Sequence, residues 1–203
     1  MPRDGTATRT RILDAAEHLV IENGYAATSV DQVLSRSGSS KGAFFHHFSS
    51  KQQLARALVD RYVEGDLAQL EGSLEATAHL TDPAERAVAI VRHFEDLGDE
   101  IMAAQSNCLY VAVLTERQLV DDGTSDEIVR AVETWRVRIA EVLKEALAAT
   151  GAHDVDADAL ADHLFVTFEG AYLLCRSTGD SRHMRTQLAT FRRLLQSLLG
   201  PTT

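Results

Sequence analysis

Residues 28–54 read TSVDQVLSRSGSSKGAFFHHFSSKQQL, and their punctuation predicts two short helices joined by a tight turn. Thr28 or Ser29 offers a hydroxyl to cap the first helix by accepting from an unpaired N–H of its opening turn. Val30, Val33 and Leu34 then recur at the spacing of one helical face. Ser37-Gly38 ends that helix, because glycine takes the left-handed conformation past a helix end without a steric penalty. Ser39 or Ser40 caps a second helix from Lys41 to His47. Two helices joined by three or four residues that include glycine form a helix-turn-helix, whose second helix lies in the major groove of DNA while the first crosses the backbone.

The second helix carries suitable chemistry. Ser39, Ser40, Lys41, Gly42 and Ala43 are small or basic. They allow close approach to base edges, and a lysine donates to guanine O6 or N7. Phe44 and Phe48, four apart, are expected to anchor one face in a core, with Phe45, His46 and His47 on the remaining arc. Lys51 is expected to reach phosphate, and Thr28 to lie at the edge of the same surface. His46 and His47 do not suggest a metal site, since adjacent helical side chains diverge and no cysteine or carboxylate completes a set.

GSSKGAFFHHFSSKQQL, residues 38–54, resembles the signature of the TetR family of bacterial transcriptional regulators. That signature runs Gly, a polar pair, a recognition helix closing on aromatic-x-His/Tyr-Phe, and Ser-Lys-x-x-Leu. The likeness covers roughly residues 8 to 60. It implies an all-α chain with a three-helix helix-turn-helix domain at residues 1–50 and a larger effector-binding and dimerisation domain at 51–203. The expected partners are a double-stranded operator, a small-molecule effector and a second copy of the chain, with no cofactor. Repression is the mode the family implies. One departure matters: Phe45 stands where the family usually has tyrosine, so a phenol contact to phosphate is missing.

Composition agrees. The chain has 203 residues, 45% of them hydrophobic, with three prolines and abundant strong helix formers. Alternating β-branched runs are scarce. No apolar run approaches the ~18 residues of a membrane span, and MPRDGTATRTR lacks a secretory core, so a cytoplasmic protein is expected. Cys108 and Cys175 are far apart with no metal-type spacing. The net charge of −10 is unevenly spread: of 20 basic and 30 acidic residues, eight and six fall in residues 1–63, leaving twelve and twenty-four behind. A slightly basic head on an acidic body favours one orientation of approach to a polyanion.

About nine helices are expected. The first seven residues read as lacking fixed structure, followed by a helix from Thr8 to Asn23 stopped at Gly24. Arg9 and Arg11 sit near its start, as a phosphate-seeking arm or as plain solvated charge. A helix from about Ser50 to Thr77 joins the head to the remainder. Asp82-Pro83 starts a helix to about Ala104, broken at Gln105-Ser106-Asn107, and a shorter one follows from Cys108 to Leu119. Thr124 or Ser125 caps a long helix to Thr150, Asp154 or Asp156 one to about Ser177, and Ser181–Leu199 is last. The penultimate helix is apolar around much of its circumference, as in a helix that is deeply buried or shared with a partner.

Candidate effector contacts are the apolar and aromatic residues Phe94, Met102, Cys108, Tyr110 and Leu114, with Trp135, Phe165, Phe168, Glu169 and Tyr172 from later helices. Glu169 suits a cationic group or an interface arginine. Cys108, at a helix start, would gain thiolate character and is an alternative redox or electrophile sensor. Phe165, Gly170, Ala171, Leu174, Leu188, Phe191 and Leu195 are the candidate dimer contacts, since two heads on a palindrome need two-fold symmetry. No P-loop, GxGxxG, HExxH or GxSxG motif supports an enzyme, and the remaining alternative is a helical interaction protein that has lost DNA binding.

Overall fold

A computed structural model describes residues 5–103 and 108–200, apart from the side chains at 103, 108 and 111. The described residues form eleven α-helices and no strand. The first four are α1 (Gly5–Asn23), α2 (Val30–Ser37), α3 (Lys41–His47) and α4 (Lys51–Ala76). Helix α1 starts at Gly5, three residues before the expected Thr8, so only the first four residues of the presumed arm lie outside the description. Ser29, rather than Thr28, caps α2. Its hydroxyl accepts from Gln32 N–H at 3.2 Å while the Gln32 side chain accepts from Ser29 N–H at 2.7 Å, a reciprocal capping box. Gly38 takes φ +63° at the end of α2, where a side chain would be strained. Ser40 then caps α3 through Ala43 N–H at 3.1 Å.

The next four helices are α5 (Pro83–Asp96), α6 (Gly98–Ala103), α7 (Cys108–Leu114) and α8 (Arg117–Asp121). Two helices expected to be continuous are therefore broken, which raises nine to eleven. The first break falls at Leu97-Gly98. Glycine weakens the helix by about 1 kcal/mol relative to alanine, and Asp99 and Glu100 suit the positive end of a new helix. The second falls at Thr115-Glu116, where Glu116 is extended and its carboxylate accepts from Ala26 N–H at 3.2 Å instead of capping α8. The expected loop at Gln105-Ser106-Asn107 lies outside the described residues. The series closes with α9 (Asp126–Thr150), α10 (Ala157–Thr178) and α11 (Arg182–Leu199), with Asp156 capping α10.

By packing, the chain divides into two compact units. One joins Met1–Gly65 to Cys108–Arg130 and the other joins Asp66–Asn107 to Ala131–Thr203. A division of roles at residue 50 is thus not where the packing divides. In the first unit α1 packs on α2, α3 and α7, around the buried side chains of Ile12, Leu13, Val33, Phe44 and Phe48. In the second, α11 packs on α5, α6 and α10, around Ile90, Phe94, Leu188, Phe191 and Leu195. No helix among the described residues is long and apolar enough to cross a membrane.

Candidate functional site

In the first unit the recognition helix is held by two aromatic anchors. Phe44 and Phe48 are 0% and 1% exposed, with ring centroids 5.7 Å apart. Phe44 sits mid-helix, whereas Phe48 is already extended, so the pair pins both the body and the exit of α3. With 100° between residues, fixing Phe44 inward turns Gly42 and His46 outward and Phe45 to one side, while Lys41, about 60° from Phe44, is exposed because it opens the helix; all four are exposed. Ala43 and His47 are half-buried at its margin. The Phe45 ring, 52% exposed, meets Phe44 edge-on at 5.3 Å.

The head's positive charge is largely committed within the head. Arg36 pairs with Glu22 at 2.8 Å, and Arg61 with Asp14 at 2.6 Å and with Glu17. Arg56 donates to the backbone oxygen of Asp122 at 3.0 Å. Lys51 Nζ donates to Tyr25 O at 2.6 Å and lies 4.1 Å from the centre of the Tyr25 ring. Burial lowers the Lys51 pKa from its ordinary value, and the charge of Glu116 opposes that shift. This lysine ties the loop after α1 to the start of α4, so its geometry here is internal rather than directed at phosphate. Thr28 is likewise buried and donates to Gly24 O at 2.9 Å. Ser40 uses its hydroxyl as a cap, and Ser39 is half-buried. Arg9 lies over the Phe48 ring, and Arg11 donates to Thr8. Lys41 has no ion-pair or hydrogen-bond partner among the described residues. Lys41 is the one lysine or arginine of the recognition helix and remains available.

Segment 108–130 is built into this head, which the sequence reading missed. Asp122 accepts from Gln52 Nε2 at 2.8 Å and from Thr124 N–H at 2.9 Å, and the Thr124 hydroxyl also bonds to it. Burial pushes the Asp122 carboxyl up, but the bonds from Thr124 and Gln52 and the nearby Arg56 charge outweigh it, leaving the pKa below its ordinary value. The only local sign in the sequence was the turn Asp121-Asp122-Gly123 itself.

Within the second unit, three candidate effector residues come together. Phe94 and Trp135 ring centroids are 5.2 Å apart, Phe94 and Phe168 5.3 Å, and Trp135 and Phe168 6.2 Å. Trp135 Nε1 donates to Asp66 Oδ2 at 2.8 Å. Glu169 follows Phe168 on α10. Burial, with the negative charge of Asp66 adding to it, pushes its carboxyl up to about 7. Among the described residues no ion-pair partner neutralises it. Asp66 was absent from the candidates, since nothing in α4's pattern distinguished it from solvated acids. Tyr172 is buried, while Met102 and Phe165 are half-buried in the same unit. Tyr110 and Leu114 belong to the other unit, Tyr110 packing edge-on against Tyr62 at 4.8 Å and Leu114 being exposed. The Cys108 side chain lies outside the described residues.

The dimer candidates separate by burial. Ala171, Leu188, Phe191 and Leu195 are buried within their own chain and offer no surface to a second copy. Leu174 and Gly170 are exposed and Phe165 is half-buried. The sequence reading missed Val166, Leu173, Leu194 and Leu198, which are exposed. On α10 residues 166, 170, 173 and 174 share one face, and on α11 residues 194 and 198 do so. Together they form an aligned apolar stripe on two helices that pack against each other.

Comparisons with known proteins agree on one family. The model for bacterial regulatory proteins of the tetR family matches residues 12–58, and that for the tetracyclin repressor-like C-terminal domain matches residues 83–191. The transcriptional regulator AcuR of Cereibacter sphaeroides is 31% identical over 181 residues, 85% of this chain and 77% of that protein. The HTH-type transcriptional regulator LmrA of Bacillus subtilis is 28% identical over 86% of this chain and 89% of its own. Among solved structures, the regulatory protein TetR from Rhodobacter sphaeroides superposes with a TM-score of 0.70 at 26% identity, covering 92% of this chain and 95% of that one.

Proposed function

The chain belongs to the TetR family of bacterial regulatory proteins, and on that premise we propose that it is a one-component repressor that binds a palindromic operator as a homodimer in the cytoplasm and leaves it when a small effector binds. Its matched relatives are transcriptional regulators, and the chain is a regulator rather than an enzyme.

The observation that carries the DNA-binding part is Lys41: a cation with no described partner, exposed at the start of a short helix locked by Phe44 and Phe48. Gly42, Ala43, Phe45, His46 and His47 complete the proposed reading surface, with Ser39 and Ser40 at its leading edge. The acidic remainder turns this surface, rather than the rest of the chain, toward DNA. The exposed stripe on α10 and α11 supports pairing of two copies, the aliphatic side chains being covered by their symmetry mates. The Phe94–Trp135–Phe168 cluster, with Glu169 beside it, is the proposed effector region. A ligand that binds the DNA-incompetent state tenfold more tightly supplies about 1.4 kcal/mol of coupling.

Gel shift against the region upstream of the chain's own gene, at two salt concentrations, tests this reading. Specific binding that weakens steeply with salt is expected, with about a tenfold loss and relaxed base preference for Lys41→Ala. Unchanged binding by Lys41→Ala overturns the assigned recognition helix.

A further inference from the structure

On the outward arc of α3, Gly42 and Phe45 are three residues apart and therefore neighbours on the surface. Nothing within the chain requires glycine at 42. Its φ is not in the left-handed region, and a Cβ added there would meet no atom closer than the Ser40 hydroxyl at 4.0 Å. Glycine is a poorer helix former than alanine, and α3 has only seven residues. The missing side chain leaves open space on the helix surface at this position, a notch next to the half-exposed Phe45 ring three residues on, with Lys41 and His46 also exposed nearby in the sequence. Phe45 has no polar atom with which to grip a phosphate or a base edge, and its edge-on packing against the buried Phe44 fixes where the ring stands. A fixed apolar wall beside an empty helical position, continuous with a DNA-binding surface, fits a small apolar projection from the groove floor. The major groove has one such projection among the four bases, the C5-methyl group of thymine.

We propose that the Gly42–Phe45 notch reads a thymine methyl in each operator half-site, so that Phe45 is a specificity-determining residue and not a backbone clamp. This rests on the DNA-binding reading above, and the experiment separates the two. Duplexes selected by the full-length chain from a random pool are rebuilt with each thymine replaced in turn by deoxyuridine, which removes the methyl and keeps every hydrogen-bonding group. Burying one methyl against a ring corresponds to about a fourfold change per half-site. One symmetry-related pair of thymines is therefore expected to lose about fourfold per half-site on replacement. That difference should vanish in Phe45→Ala and in Gly42→Ala, which fills the notch, but survive in Phe45→Leu, which stays apolar. Both positions are exposed, and circular dichroism confirms that each variant keeps the wild-type helix content. Equal binding of thymine and deoxyuridine duplexes at every position overturns the inference and leaves the DNA reading intact. So does a methyl effect that persists in Phe45→Ala. Failure of the pool to enrich any duplex overturns the DNA reading itself, and this inference falls with it.

Discussion

On α3 a single exposed aromatic, Phe45, stands among Lys41, Gly42 and His46. On α10 the exposed apolar residues are Val166, Leu173 and Leu174, with Gly170 between them. Both helices carry a glycine above which the space is open, and both turn apolar atoms toward solvent. The settings differ in charge and repetition. The α3 surface is brief, mixed and beside a cation, as suits a polyanion with occasional apolar features. The α10 surface is longer, aliphatic and continued by Leu194 and Leu198 on α11, as suits a copy of itself. Exposed apolar surface thus has no fixed meaning, and its neighbours decide what it fits.

The largest expected effect breaks the α3 side. Phe44→Ala removes a fully buried ring that touches both Phe45 and Phe48, and should destabilise the head by about 3–5 kcal/mol. Urea unfolding followed by circular dichroism measures it. A loss below about 1 kcal/mol would show that Phe44 does not anchor α3.

Next comes the α10 side. Leu173→Glu combined with Leu194→Glu places two charges on the exposed stripe while leaving the buried Leu188, Phe191 and Leu195 untouched. Sedimentation equilibrium should give twice the 22.2 kDa chain mass for the wild type and the chain mass for the variant. The expected weakening of self-association is at least a hundredfold, about 3 kcal/mol. A variant that remains dimeric, or a wild type that is monomeric at micromolar concentration, assigns the stripe to something else.

The smallest effect sharpens the comparison, because it concerns a charge on the same α10, one residue before Gly170. Glu169 titrates near 7 in the folded chain against an ordinary 4.5, chiefly through burial. Folding therefore favours its protonated form. Below about pH 4.5 both folded and unfolded chains hold the proton and no penalty exists. The penalty grows as pH rises through this interval and is complete above about 7. Glu169→Gln should leave stability nearly unchanged at pH 4 and raise it by on the order of 2 kcal/mol at pH 8. Thermal melts at the two pH values provide the reading, and an equal change at both would remove the buried charge from the account.

The head was legible because its signals are local. Ser29, Gly38, Ser40, Phe44 and Phe48 each act within a few residues, through caps, one left-handed turn and one helical face. The breaks at Leu97 and Thr115 escaped because apolar periodicity continues across both, even though Gly98-Asp99-Glu100 carried a restart signal. The exposed stripe could not be separated from the core by pattern. On a helix apolar around most of its circumference, Ala171 and Leu174 look alike until α11 packs against one side. The internal role of Lys51 was not legible, since a lysine in a DNA-binding motif suggests phosphate and only the fold brings Tyr25 O and the Tyr25 ring to its ammonium.

The turn at Asp122 restricts how this molecule can be recombined. Gln52 and Arg56 find partners there, and Ala26 finds one in Glu116, far along the sequence from the helix-turn-helix itself. A hybrid regulator made by splicing residues 1–65 onto a foreign sensor would lose those bonds unless it also carried 108–130. A transplant that keeps the first unit whole is therefore a two-piece graft of 1–65 and 108–130.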